Sequence, residues 1–371
     1  MARIARDVCH GLLERAGIPV GGDEPFAMRV HDERLWDRVL AQRNLGLGEA
    51  YMDGWWDCDA LDQFFTRLLG SGAEAAIKPT LRVAAGVMRS QVVNAQSVRR
   101  AGRNARRHYD IGNDLYERML GKRMVYSCGY WAEAADLDSA QESKLDLVCR
   151  KLELQPGLRV LDIGCGWGGF AQFAAERYGV HVTGISPAGN QVAVARERCA
   201  GLPVDIHQRD YREVRGVFDR IVSIGMVEHV GPRNLRRFMD ACDGLLSRDG
   251  IMLHHMIGSI ESSNTLDPWF ERYIFPGAVL PSVAQLGRAA EPHWVVEDVH
   301  GFGPDYDRTL MAWHANVESA WPSLPGYDER FRRMWRYYLL VCAAGFRVRD
   351  LQLWQWVYRR PGVRGRYHAP R

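Results

Sequence analysis

A glycine-rich stretch, VLDIGCGWGG at residues 160–169, carries the clearest chemical signal in the sequence. Gly164, Gly166 and Gly169 fit the G-x-G-x-x-G pattern of dinucleotide-binding loops, whereas Gly164, Gly166 and Gly168 fit the G-x-G-x-G loop of S-adenosylmethionine (SAM) methyltransferases. The stretch lies between a predicted strand and a predicted helix, where a cofactor can approach the backbone closely. The sequence therefore predicts an adenosine cofactor, with a tight turn that binds nothing as the alternative.

Two features decide between these cofactors. Dinucleotide sites usually place an acidic residue about 20 residues further on, but position 184 is glycine and VTGISPAGN contains no carboxylate. Asp162 before the first glycine, and the loop MVEHVG after a later strand, are typical of SAM sites. The pattern therefore favours SAM over NAD.

Other polar residues could serve a site near this loop. Glu228 and His229 follow the end of a predicted strand, where the alternative is a surface turn. His254 and His255 are adjacent on another predicted strand, so their side chains point to opposite faces and only one can face a site. The eight cysteines form no C-x-x-C pair, so we expect no metal site and mostly buried, reduced thiols.

The elements that must position these residues alternate between strand and helix from about residue 145 onward. The predicted strands are LRVLDIG, VHVTGIS, VDIHQRD, FDRIVSIGM and GIMLHHMIG. Strands that alternate with helices of 10–15 residues imply parallel crossovers and a doubly wound α/β sheet. Near the end, RMWRYYLLVCAAGFR is predicted to be helical, and LQLWQWVYRR alternates like a strand.

The first 70 residues are predicted to form helices with short breaks, because apolar residues such as Ile4, Val8 and Leu12 recur at helical spacing. The net charge of +3 and the pI of about 8.4 are far from the strongly basic balance of an obligate nucleic-acid binder. We expect no signal peptide and no membrane-spanning helix, since no stretch approaches 18 apolar residues.

An arginine run lies within SVRRAGRNARRHYD. Its members are Arg99, Arg100, Arg103, Arg106 and Arg107. The run is interpreted either as a solvated linker or as a patch that faces anionic lipid headgroups. Nucleic acid is a weaker interpretation, because no base-stacking module accompanies the arginines.

Taken together, many ordered motifs resemble those of the cyclopropane-fatty-acyl-phospholipid synthases and the related mycolic-acid methyltransferases. The matching stretches are HYDIGNDLYERML, YSCGYW, VLDIGCGWGG, RDYREV, DRIVSIGMVEHVG, LHHMIGS, DPWFERYIFPGAVLPS, EPHWVVED, DYDRTLMAW and YYLLVCAAGFRVRD, with GEAYMDGWW before them. The resemblance implies a Rossmann-like class I SAM-dependent methyltransferase domain at 108–371. A small helical N-terminal domain at 1–75 and a basic linker at 76–107 would precede it.

The resemblance also implies the SAM contacts, with Asp210 and Tyr211 holding the adenine. The implied residues are Tyr126, Ser127, Asp162, Gly164, Cys165, Gly166, Gly168, Ser186, Asn190, Gln191, Asp210 and Tyr211. The chain departs from the family pattern T-[IL]-S-x-x-Q at SPAGNQ, 186–191. Because Pro187 lacks a backbone donor and fixes φ, we expect the ribose contacts to differ in detail.

The implied substrate is a cis double bond in a phospholipid acyl chain. Transfer of the sulfonium methyl in a dry pocket leaves a carbocation, which aromatic faces can stabilise. A base must then remove a proton from the new methyl group so that the ring closes. The resemblance implies bicarbonate as this base, held by Cys128, Glu228, His255, the Ile257 backbone and Tyr306, with Glu228 as the onward proton acceptor.

Each candidate also has a structural interpretation. Cys128 could fill a small buried space, Tyr306 could cap a helix, and His254 is expected to be a packed histidine. Cys342 lies in an apolar helix, where packing is the default role. It also occupies a family position that has been considered functional, so it is kept as a secondary catalytic candidate.

Access to lipid raises further expectations. Trp269, Phe270, Tyr273 and Phe275 could line an acyl channel or belong to the core. We expect a cytoplasmic enzyme that docks peripherally on the inner face of the membrane through the arginine run and the basic tail YRRPGVRGRYHAPR. The N-terminal region could carry this membrane contact or a homodimer interface, and we expect no nucleic-acid partner.

Other functions remain open at this point. A related methyltransferase could make methyl-branched or other modified lipids, or methylate a small-molecule amine. A catalytically silent lipid-binding protein and a nicotinamide oxidoreductase are further alternatives, and the missing ribose acid argues against the second. Retention of all five bicarbonate positions favours ring closure, because simple methylation removes no proton from the transferred methyl.

Overall fold

The computed structural model describes residues 2–72 and 112–371, which divide into two compact units. The first unit combines residues 2–72 with Thr265–Pro276 and Tyr306–Leu351. The second contains residues 112–264, Gly277–Asp305 and Gln352–Arg371. The contiguous boundaries at 75 and 107 stay a prediction, and the basic linker with its five arginines lies outside the described residues.

The described helices and strands follow one another in this order. They are α1 (Ala2–Arg15), β1 (Arg29–Val30), α2 (Arg34–Gln42), α3 (Asn44–Met52), β2 (Trp56–Asp57), α4 (Leu61–Gly70), α5 (Asn113–Leu120), α6 (Leu137–Lys151), β3 (Arg159–Ile163), α7 (Gly169–Tyr178), β4 (His181–Ser186), α8 (Gly189–Arg198), β5 (Val204–Gln208), β6 (Phe218–Ile224), α9 (Leu235–Leu245), β7 (Leu246–Ser259), α10 (Pro268–Tyr273), α11 (Val283–Ala290), β8 (Val295–Gly301), α12 (Pro304–Ala320), α13 (Glu329–Arg347) and β9 (Leu351–Arg359).

The first unit is built around α13, whose apolar face is buried. The indole of Trp269 on α10 is fully buried and packs on the ring of Tyr337 at 4.6 Å between ring centres. Gly48 on α3 permits this packing, since a Cβ there would lie 2.5 Å from the indole Nε1 of Trp269. Trp269 is therefore a core residue, whereas Phe270, Tyr273 and Phe275 are only partly buried.

The second unit contains a seven-stranded sheet in the order β5-β4-β3-β6-β7-β9-β8. The pairs from β5 to β7 are parallel, and β8 runs antiparallel to β9. The predicted doubly wound sheet and its first five strands are thus confirmed. Strand β8 was not predicted, because it lies at the sheet edge and its residues are largely exposed instead of alternating.

Helices cover both faces of this sheet, and β3 shows how the faces divide. Val160 packs with side chains of α6 and α7, whereas Leu161 and Ile163 pack with those of α9 and α11 on the other face. Successive strand side chains point to opposite faces, so Asp162 belongs to the face that α6 covers. Within 2–72 and 112–371, no helix is both long and apolar enough to cross a membrane.

Candidate active site

The candidate site lies at the point in the sheet where the order of the strands changes direction, between β3 and β6. Strand β3 pairs with β4 on one side and with β6 on the other, so their following loops diverge and leave a crevice at the carboxyl ends. The glycine-rich loop leaves β3 at this point and leads into α7. This is the position at which open α/β sheets bind their ligands.

Three glycines shape the loop. Gly164, Gly166 and Gly168 have φ values of 90°, 54° and 83°, in the left-handed region that side chains disfavour. A Cβ on Gly164 would lie 2.9 Å from the side chain of Met226, whereas a Cβ on Gly166 would meet no protein atom within 4 Å. The backbone at Gly166 is therefore open to a ligand beside the N-terminus of α7.

The SPAGNQ segment after β4 is held by its own side chains. The Ser186 hydroxyl donates to Oε1 of Gln191 at 3.2 Å and accepts the Ala188 N–H at 3.2 Å. Asn190 Oδ1 accepts the Gln191 N–H at 2.9 Å. Pro187 has no N–H to donate. The next backbone N–H is that of Ala188, and the Ser186 hydroxyl accepts it.

Asp210 and Tyr211 follow β5. The Asp210 carboxylate pairs with Arg212 at 2.6 Å, and although burial raises its pKa, the bonds to Arg212 outweigh burial and the net pKa is lowered. The Tyr211 ring packs edge-on against Phe238 at 5.1 Å. Their adenine contacts stay a prediction.

Glu228 lies in a short 3₁₀ turn, Val227–His229, directly after β6. Its side chain is buried, so the surface-turn interpretation is wrong. Oε1 accepts the Ile257 N–H at 2.7 Å, while Oε2 has no hydrogen-bond partner among the described residues. Burial raises the pKa of Glu228 to about 7, against the opposing effect of the backbone hydrogen bonds.

His255 is buried on β7 beside the end of β6. Its Nδ1 lies 3.3 Å from Nε2 of Gln355, and its Nε2 has no partner within the described part of the chain. Burial, reinforced by the positive charges of Lys144 and Lys151, lowers the pKa of His255 well below its ordinary value. The imidazole is therefore neutral.

His254 faces the other side of the sheet, as predicted. Its ring lies 5.2 Å from the rings of both Phe238 and Tyr358. Burial lowers its pKa to about 3, so it is a neutral, packed histidine.

The remaining candidates divide between the two units. Cys128 is fully buried in the second unit, where its Sγ lies 3.0 Å from the Gly129 carbonyl oxygen. Tyr306 belongs to the first unit, in the first turn of α12, with its ring stacked 4.6 Å from that of Phe346. Cys342 lies on α13 of the same unit, and burial raises the pKa of its thiol, which keeps it protonated and unsuited to be a nucleophile.

Two buried lysines on α6 were not among the predicted site residues. Lys144 donates to the Ser127 hydroxyl oxygen at 2.7 Å, and Lys151 pairs with Asp298 at 2.8 Å. Both lie on the buried stripe of α6. Charged residues at stripe positions that should be apolar were the signal that could have revealed them.

The residues at the β6 and β7 ends fit a small anion that carries a proton. Glu228 Oε2 and His255 Nε2 are buried and have no hydrogen-bond partner among the described residues. Such burial lowers the stability of the fold unless another group forms a hydrogen bond with these atoms. The charges of Lys144 and Lys151 lower the pKa of His255 and also favour an anion nearby. The Ile257 N–H is used by Glu228 itself.

Comparisons with known proteins show the family. Residues 96–356 match the family model described as mycolic acid cyclopropane synthetase. The chain is 49% identical over 358 residues to the cyclopropane-fatty-acyl-phospholipid synthase of Escherichia coli (strain K12), covering 95% of this chain and 93% of that protein. It is 32% identical over 390 residues to the tuberculostearic acid methyltransferase UfaA1 of Mycobacterium tuberculosis, covering 98% and 90%.

The chain is also similar to a solved structure that contains ligands. The chain is similar to the mycolic acid cyclopropane synthase CmaA1 complexed with S-adenosylhomocysteine (SAH) and CTAB, with a TM-score of 0.66 and 29% identity. The similarity covers 70% of this chain and 98% of that one.

Gly166→Ala tests the loop. The added Cβ occupies the side open to a ligand, so we expect the Kd of SAH, measured by titration calorimetry, to rise roughly tenfold or more. Gly157→Ala is the matched control, because Gly157 also has a positive φ and open space around it but lies before β3. Both variants should lose about 1–2 kcal/mol of unfolding free energy. Equal SAH affinity in the two variants would contradict the assignment.

Proposed function

The chain belongs to the mycolic acid cyclopropane synthetase family, and on that premise we propose that it transfers a methylene group from SAM to the cis double bond of unsaturated phospholipid acyl chains, forming cyclopropane rings. One observation carries the proposal. Glu228, with an oxygen that has no partner within the described residues, lies beside the neutral His255 at adjacent strand ends. Ring closure requires a base that removes a proton from the transferred methyl group in a dry pocket, whereas simple methyl transfer leaves the protons of that group in place.

Glu228 is suited to move a proton. A carboxyl group with a pKa of about 7 changes its protonation state near neutral pH, where an exposed glutamate stays ionised. The Ile257 N–H donates to one carboxyl oxygen of Glu228 at 2.7 Å, and the other carboxyl oxygen takes no part in this bond. Glu228 is therefore the proposed proton acceptor.

Bicarbonate is the proposed direct base, held by Glu228 and His255 together with Cys128. When bound, it supplies an oxygen base that is too small to crowd the acyl chain. His255, kept neutral by burial and by the two lysines, offers Nε2 as a donor or acceptor. The part of Tyr306 in this set stays a prediction from the family resemblance.

Purified protein incubated with isotope-labelled SAM and vesicles of unsaturated phospholipid tests the function. We expect the acyl chains to gain one CH2 and to lose the alkene signal, measured by mass spectrometry and NMR of the released fatty acids. Saturated vesicles are the control and should take up no label. A methyl-branched product without a ring would contradict the proposal. It would favour the activity of a related lipid methyltransferase, such as the tuberculostearic acid methyltransferase UfaA1.

Glu228→Gln tests the proton acceptor. The amide keeps the shape but cannot accept the proton, so we expect kcat to fall by about 100-fold or more while the Kd of SAH stays unchanged. Removing bicarbonate from the buffer should lower wild-type kcat, and adding it back should restore the rate, but Glu228→Gln should not respond. Glu197→Gln, on the exposed face of α8, is the control. Wild-type turnover in Glu228→Gln would exclude the relay.

Docking on the membrane surface is part of the proposal, with α1 as the contact. Ile4 and Val8 on α1 are 65% and 42% exposed, one helical turn apart, and Arg3 beside them is also exposed. An apolar pair flanked by positive charge suits an anionic lipid surface.

The basic tail contributes less to docking than its composition suggests. Arg359 pairs with Glu153 at 2.9 Å, and Arg360 donates to the Leu246 carbonyl at 2.9 Å. The Arg371 side chain pairs with Asp298 at 2.7 Å. These three guanidinium groups are therefore engaged within the second unit.

The double variant Ile4→Asp/Val8→Asp tests docking by α1. Loss of two apolar contacts and addition of two negative charges should weaken binding to anionic vesicles by roughly tenfold or more in a flotation assay. The Kd of SAH should not change. Val217→Asp is the control, because Val217 is similarly exposed, at 47%, but lies in the loop before β6. Equal flotation of the double variant and the control would exclude α1 as the contact.

A further inference from the structure

Lys144 is a buried lysine whose hydrogen bond to Ser127 the proposed chemistry does not explain. Its side chain is fully buried on α6, and its ammonium lies 2.7 Å from the hydroxyl oxygen of Ser127. One turn earlier, Gln141 donates to the Ser127 carbonyl oxygen at 2.7 Å. Burying an ammonium group is expensive, so a lysine here requires compensating contacts.

The protonated form of Lys144 sets the direction of its bond to Ser127. An ammonium group has three donors and no acceptor, so the Ser127 oxygen accepts. The hydrogen of the Ser127 hydroxyl is then left to donate to a group other than Lys144. Lys144 thereby turns Ser127 into an oriented donor.

The charge of Asp162 acts on this lysine through space. Its carboxylate is buried at the end of β3, on the face covered by α6, and its Oδ2 has no hydrogen-bond partner among the described residues. Burial raises the pKa of Asp162, and the positive charge of Lys144 opposes that rise. Burial likewise lowers the pKa of Lys144, and the charge of Asp162 opposes that fall. Each group favours the charged form of the other.

We propose that Lys144 is a positioning residue for the cofactor, which fixes Ser127 as a hydrogen-bond donor and compensates the charge of Asp162 beside the glycine-rich loop. The inference rests on the proposed function, which assigns Ser127 and Asp162 to the cofactor. A sulfonium cofactor with an amino-acid tail offers a carboxylate to such a donor and a positive charge to such an anion.

A double-mutant cycle tests the action through Ser127. Lys144→Met keeps the side-chain length and removes the donor, and we expect the Kd of SAH to rise on the order of tenfold. Ser127→Ala should have a similar effect, and the double variant should bind SAH no more weakly than either single variant. Lys151→Met is the matched control, since Lys151 is equally buried on α6 but pairs with Asp298. Its SAH affinity should stay at the wild-type value.

The pH dependence tests the action through Asp162. Lys144→Met removes the positive charge that opposes the rise in the pKa of Asp162, so the carboxyl takes up a proton at higher pH than in the wild type. Because the pKa of Asp162 is about 7 in the wild type, we expect the affinity for SAM relative to SAH to fall in both proteins between pH 9 and pH 6.5, with the midpoint of the fall at higher pH in the variant. The other groups that face Asp162 are the thiols of Cys165 and Cys199, whose pKa values burial raises, so they stay neutral in this range.

Two results would overturn the proposal. One is an unchanged SAH affinity in Lys144→Met. The other is a double variant in which the effects of Lys144→Met and Ser127→Ala on the Kd of SAH multiply. Lys144→Met leaves Asp162 as a buried uncompensated charge, which could prevent folding. In that case the double variant Lys144→Met/Asp162→Asn, which removes both charges, replaces it. Its Kd for SAH is compared with that of Asp162→Asn. SAH binding is measured without lipid, so a failure to form cyclopropane rings would reject the proposed function and leave this result standing.

Discussion

The parallel pairing of β3 with β4 on one side and β6 on the other is the constraint on which the site depends. It sends the loops after these strands to one edge of the sheet, where the glycine-rich loop and the Glu228 turn meet. Gly164 must lack a side chain, because Met226 of the neighbouring loop occupies that space. The Gly225 N–H donates to the His255 carbonyl at 2.8 Å, which extends the contact between β6 and β7 beyond the regular ladder.

Burial gives this edge its chemistry. Removal from water raises the pKa of Glu228 and lowers that of His255, so both groups differ from their exposed counterparts near neutral pH. Two lysines on α6 add positive charge to the same region without reaching the surface. A site that alkylates a carbon–carbon double bond must exclude water from the cation it forms, and the same exclusion sets these protonation states.

The described helices of the N-terminal region belong to a unit that includes later parts of the chain. Among these parts are α13 and α10, and Arg347 bonds both Asp62 of α4, at 2.8 Å, and Asp307 of α12, at 2.9 Å. Tyr306 precedes Asp307 on α12, so a candidate site residue belongs to the same unit as the proposed membrane contact. Packing thus joins stretches that are distant in the chain into one unit.

The sequence determined the family, the cofactor class and the doubly wound sheet, because strand and helix periodicity and the glycine spacing are local properties of the chain. It also placed His254 and His255 on opposite faces, since alternation along a strand needs no tertiary information. Tertiary structure alone decided that Glu228 is buried with one oxygen unpaired among the described residues, and that Lys144 donates to Ser127 and acts through its charge on Asp162. These facts depend on which elements cover which face of the sheet, and desolvation and charge pairing act through space between residues that lie far apart in the chain.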